Sequence, residues 1–141
     1  GALAAEAVLF FRPDDAAGFR YRRKRAGHLV SKMRFVSAQL DAYLDNGLWL
    51  ANAAHANAMA ARLADGLRGI AAARFNHPVE ANELFVSMPP AIREGLAADG
   101  FAFYPWAAGG PDCVRLVTAF DTPATAVDAF IASARRHAGG G

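Results

Sequence analysis

The stretch NELFVSMPPAIREGLAADGFAFYPWAAGGPDCVRLVTAF, residues 82–120, decides the fold. Leu84 to Met88 reads as a strand, Pro89-Pro90 breaks it, and Ala91 to Ala97 fits a short helix. Two more strands follow, Phe101 to Tyr104 and Val114 to Ala119. Between them Ala108, Gly109, Gly110 and Pro111 supply the turn of a loose hairpin. Thr122-Pro123 then opens a last helix, with Pro at its first position and Val127, Phe130, Ile131 and Ala134 on one face. The order β-α-β-β-α predicts an α+β layer, a three-stranded antiparallel sheet covered by helices on one face.

Upstream the period is helical. Leu48 to Leu67 places Trp49, Ala53, Ala56, Ala60, Leu63 and Leu67 on one side, and its alanines let a neighbour approach closely. From His28 to Tyr43 the residues Leu29, Met33, Val36, Leu40, Tyr43 and Leu44 recur at the same spacing, with Asn46-Gly47 as the stop. Before them, Ala5 to Phe11 is a short apolar run closed by Pro13-Asp14-Asp15 and reads as a buried strand. Asp14 or Asp15 is placed to cap a helix carrying the basic residues that follow. The organisation expected is a strand and basic helix over residues 1–27, linking helices over 28–72, a small α+β domain over 73–138, and a Gly-rich tail over 139–141.

With 141 residues, 54% of them apolar and 20% charged, the chain can build one core or a small domain with an appendage. No apolar run approaches the ~20 residues of a membrane helix, and no secretory leader opens the chain, so a soluble, cytoplasmic protein is expected. The lone Cys113 excludes an internal disulfide and a Cys-rich metal site, and reads as a buried thiol in a strand. Net charge is only +2, yet Arg20, Arg22, Arg23, Lys24, Arg25, Lys32 and Arg34 crowd into one segment that holds both lysines of the chain.

No self-sufficient active site is visible in the residues themselves. There is no Gly-rich phosphate loop between strand and helix, no His pair at metal-ligand spacing, and no Ser, His and Asp set singled out by spacing. His28, His55, His77 and His137 are scattered and fit structural roles. The basic run RYRRKRAGHLVSKMRF fits a solvated face, a nucleic-acid contact, or capture of a phosphate by two or three converging cations. Nucleic acid is disfavoured by the near-neutral balance of the whole chain and by aromatics that sit at core periodicities. Arg115 differs: in the apolar strand VRLVT a charge is costly unless paired, either with a ligand or with an acid that its head can reach.

The strings AEAVLFF, YRRKRAGHLVSKMRFVSAQ, NGLWLANAAHANAMAARLADGL, PVEANELFVSMP and VRLVTAFDT, in this order, resemble the threonine aldolase and β-eliminating lyase family. The likeness is collinear from Gly1 to the last helix. It implies the C-terminal half of a pyridoxal-phosphate enzyme of fold type I, in which the small α+β domain follows the last strand and linking helices of a large domain. It also implies a homotetramer with active sites at subunit interfaces, and no membrane partner.

What the resemblance implies about residues is uneven. The Schiff-base lysine is expected just upstream of Gly1, in the N-terminal half that would complete the enzyme, so no catalytic residue is expected within this chain. Arg115 matches the arginine that binds the substrate carboxylate. Arg34, with Lys32 and Lys24, matches the basic segment that approaches the cofactor phosphate, from a neighbouring subunit. No metal is implied. The implied reaction is cleavage of L-threonine, L-allo-threonine or related β-hydroxy-α-amino acids to glycine and an aldehyde. Phenylserine cleavage or β-elimination in the same family, and a non-catalytic basic interaction module, are the alternatives.

Overall fold

The computed structural model describes residues 2–139, and the chain divides into two units, Gly1–Trp49 and Leu50–Gly141. In the first unit a 3-10 turn at Pro13–Ala16 is clasped by Arg12, whose Nε and Nη2 donate to Asp15 at 3.0 and 2.8 Å. Asp15 is thereby taken, and helix α1, Phe19–Arg25, has Gly18 at its N-cap with no side-chain cap, in place of the aspartate cap expected. The stop of α1 is fully specified. Gly27 adopts φ +77°, its N–H donates to Lys24 O at 3.1 Å, and the His28 N–H donates to Arg23 O at 3.0 Å. That paired closure needs a left-handed residue after the helix, which glycine supplies without a Cβ clash.

Helix α2, Arg34–Leu44, begins six residues later than the spacing from His28 suggests. Lys32 stands in the left-handed region at φ +61°, which breaks helical register ahead of Met33. At the other end Asn46, at φ +50°, turns the chain where Asn46-Gly47 predicts a stop. The run Ala5 to Phe11 forms no strand: no described residue pairs with it, and Val8, Leu9 and Phe11 are exposed. An apolar run becomes a strand only when a neighbour takes its N–H and C=O groups.

The second unit is the α+β layer. Helix α3, Leu48–Arg68, buries Ala56, Ala60, Leu63, Ala64 and Leu67, a stripe at helical spacing; Trp49 and Ala53, expected on the same stripe, are exposed. Strands β1 (Arg74–Phe75), β2 (Glu83–Ser87), β3 (Tyr104–Pro105) and β4 (Cys113–Val117) form one antiparallel sheet in the order β1-β2-β4-β3. The sheet therefore has four strands where three are predicted; β1, at two residues, is too short to show a period. The expected strand from Phe101 contracts to β3, while Phe101 and Phe103 turn toward the core as partly buried packing. Pro123 is the N-cap of the last helix and not its first residue.

Alternation on β2 and β4 sends Leu84, Val86, Val114 and Leu116 to one face, where Leu63, Leu67, Ile92, Leu96, Val127 and Ile131 meet them. These last residues come from α3, from α4 (Pro90–Ala98) and from α5 (Ala124–Ala138). Burying each leucine contributes about 1.5–3 kcal/mol. The α4 and α5 backbones come close because position 95 is glycine: a Cβ there would overlap the His137 ring. On the exposed rim Arg62 grips Asp128 with two hydrogen bonds of 2.7 and 2.8 Å, tying α3 to α5. Both side chains are half exposed, so the pair adds little to stability.

Asp99, the residue after α4, gathers three donors from α5. Ser133 Oγ donates at 2.6 Å, Arg136 Nη2 at 2.7 Å, and His137 Nε2 lies at 3.2 Å. The Ser133 hydrogen bond, then that of His137, with Arg136 adding less, hold the Asp99 carboxyl down at about 2, against an ordinary 3.8. A depressed carboxylate stabilises the fold above its unfolded value, and that stability is lost as pH falls toward the folded value. The Asp99 contribution to thermal stability should thus be full and independent of pH above about pH 5, and should be lost between about pH 4 and 2. Asp99→Asn should flatten the curve in that window; an unaltered acid limb would show that the cluster does not stabilise the fold.

Candidate functional site

The face of the sheet opposite the core carries the charge that the sequence singles out. Arg115, central in β4, has Phe85 of β2 and Tyr104 of β3 as its cross-strand partners. Its guanidinium carbon lies 6.0 Å from the Trp106 ring centre, within cation–π range. Trp106 in turn packs on Phe85 at 5.1 Å between centroids, and His77 meets Phe85 edge-on at 5.5 Å. The result is an aromatic platform around one cation, with Tyr104 largely exposed beside it. A cavity of about 300 Å3 borders Arg115 and is lined by Phe103, Leu116, Val127 and Phe130 among others.

Arg115 is paired with an acid of its own chain: Nη2 donates to Oε1 of Glu83. The hydrogen bond and charge of Glu83 raise the Arg115 pKa, and that same hydrogen bond lowers the Glu83 carboxyl, so both stay ionised across the neutral range. The sequence does not disclose Glu83. In register Glu83 faces Val117 while Arg115 faces Phe85, so the two charges meet on the diagonal. Only the ladder alignment shows that contact, since an acid at the start of an apolar strand has no distinctive spacing.

The other candidate cations lie in the first unit. Lys32 and Arg34 flank Met33, the N-cap of α2, and both are exposed. The Arg34 guanidinium rests 4.9 Å from the centre of the Phe35 ring. Neither Lys32 nor Arg34 has an ion-pair partner among the described residues. Two cations at the positive end of an 11-residue helix suit a phosphate. Lys24 stands apart in sequence, in the last turn of α1. A cavity of about 720 Å3 in this unit is bordered by Glu6, Arg22, Arg23, His28 and apolar residues; Lys24, Lys32 and Arg34 do not line it.

Three of the four histidines take structural places. His55 Nε2 is 2.8 Å from Thr122 O, His77 packs on Phe85, and His137 binds Asp99. Cys113 is a buried thiol at the start of β4. No group of three or more potential metal ligands occurs among the described residues, and no described helix is long and apolar enough to cross a membrane.

No family model matches the chain. It is 38% identical over 135 residues to a low-specificity L-threonine aldolase of a Pseudomonas strain, a match spanning 96% of this chain and 38% of that protein. It is also 38% identical over 122 residues to the corresponding protein of Pseudomonas aeruginosa, covering 86% of this chain and 35% of that one. Among solved structures, the threonine aldolase of Leishmania major superposes on 90% of the chain with a TM-score of 0.75 and 25% identity. Over nearly its whole length the chain is similar to threonine aldolases.

Threonine aldolases are enzymes of fold type I, and the α+β architecture described above is shared with the Leishmania major structure over 36% of the latter's length. A glycine decarboxylase of the glycine cleavage system, at 20% identity and TM-score 0.61, and a NifS-like protein, at 18% and 0.56, share the fold alone. The chain thus spans well under half the length of the threonine aldolases it matches.

Proposed function

We propose that these residues are the C-terminal part of a pyridoxal-phosphate-dependent aldolase that cleaves L-threonine, L-allo-threonine or a related β-hydroxy-α-amino acid to glycine and an aldehyde. The observation that carries this reading is Arg115, a fixed cation on an open aromatic face, in a chain 38% identical to low-specificity L-threonine aldolases.

Arg115 binds the α-carboxylate. A carboxylate held by a guanidinium fork leaves the amino acid one rotational setting about its Cα, so the bond chosen for cleavage is chosen by positioning. The aromatic residues around Arg115 lower the local polarity and strengthen the ionic contact. Lys32 and Arg34 fit the phosphate of pyridoxal phosphate, and Lys24 extends the same positive segment. When bound, pyridoxal phosphate supplies the electron sink for breaking the Cα–Cβ bond. Exposed Phe35, Leu44, Leu48 and Trp49 support burial of this region in a homotetramer.

The test uses the full-length enzyme with pyridoxal phosphate. Release of glycine and acetaldehyde from L-threonine or L-allo-threonine, by a species that sediments as a tetramer, is the expected result; an inert preparation saturated with the cofactor would defeat the reading. Arg34→Ala should weaken cofactor affinity roughly tenfold or more, as expected for losing a charge-assisted hydrogen bond. A nucleic-acid module behaves differently, retarding a random duplex with an affinity that falls steeply with salt. An unchanged cofactor dissociation constant together with tight duplex binding would favour that rival.

A further inference from the structure

Arg115 has more hydrogen-bonding capacity than Glu83 uses. A guanidinium offers two edges that grip a carboxylate through parallel hydrogen bonds, and both edges include Nη2. Nη2 carries two hydrogens, and Glu83 takes one. Among the described residues neither Nε nor Nη1 of Arg115 has a hydrogen-bond partner. One complete edge therefore remains open beside an engaged one.

Exposure decides what this pair contributes. The Arg115 and Glu83 side chains are 36% and 35% accessible, and an ion pair so open to water adds little to stability. Its effect is on direction. An unbraced arginine samples many rotamers, and a bound carboxylate would have to select one of them. Glu83 is itself anchored: it lies in the β2–β4 ladder opposite Val117, next to Asn82, whose carbonyl accepts the Thr118 N–H at 3.0 Å. Trp106 stands within 6.0 Å of the guanidinium and limits its swing.

We propose that Glu83 is a positioning residue of the carboxylate site, which holds Arg115 by one nitrogen and presents its free edge to the α-carboxylate of the amino acid. This rests on Arg115 being the carboxylate-binding arginine. Glu83 touches no reacting atom; it acts through Arg115.

Glu83→Ala and Glu83→Gln in the full-length enzyme test it, with Arg115→Ala in parallel. Glu83→Ala should raise KM for the amino acid about tenfold, with a much smaller change in kcat and a thermal midpoint close to wild type. Glu83→Gln keeps an acceptor oxygen at the same reach and should recover most of the KM. Wild-type KM in Glu83→Ala, or a Glu83→Gln as damaged as Glu83→Ala, would overturn the positioning role. If Arg115→Ala raises KM while Glu83→Ala does not, only the Glu83 assignment falls; if Arg115→Ala leaves KM unchanged, the carboxylate reading falls with it.

Discussion

Arg115→Ala in the full-length enzyme is expected to lower kcat/KM for L-threonine by about 30-fold to nearly 1,000-fold, the equivalent of 2 to 4 kcal/mol of transition-state stabilisation. The size follows from removing a charge-assisted, two-pronged contact that works from the ground state through bond breaking. Truncation also strands Glu83 without its partner, which adds to the loss. Cofactor affinity should hold within about twofold, since no part of Arg115 is assigned to the phosphate. Steady-state kinetics and a cofactor titration check both statements, and a kcat/KM within twofold of wild type would remove Arg115 from the site.

The second large effect is on stability. Leu67→Ala deletes a fully buried side chain where α3 lies on the sheet, and should destabilise by about 2–5 kcal/mol. Val117→Ala is the control, because Val117 is half exposed on the opposite face of β4 and its truncation should cost about 0.5 kcal/mol or less. Urea unfolding of the two variants compares them directly. Equal midpoints would mean that the core is not where the burial pattern puts it.

The parts of this fold that were legible in the sequence have strong periods and clear punctuation. Leu84 to Met88 is closed by two prolines, Val114 to Ala119 overlaps β4 over Val114 to Val117, and α3 carries a stripe from Ala56 to Leu67. What was not legible depends on partners or on rare backbone states. Lysine gives no hint of a left-handed φ, so the delayed start of α2 at Arg34 could not be read from spacing. The Ala5 to Phe11 run has strand composition, but composition does not provide a hydrogen-bonding neighbour. The site divides the same way. Arg115 stands out as a charge in an apolar strand, whereas Glu83 becomes its partner only once β2 and β4 are in register.

The order β1-β2-β4-β3 also bears on how the protein behaves in a crowded solution. Both margins of the sheet are strands of two residues, and one of them contains Pro105, which has no N–H to offer. The long strands β2 and β4, whose apolar runs would make good templates for joining another molecule, sit inside, laddered to each other over five residues and each flanked in part by a short edge strand. A foreign strand meeting this sheet finds at most a few hydrogen-bonding groups before the ladder ends, so edge-to-edge aggregation has no continuous seam on which to start.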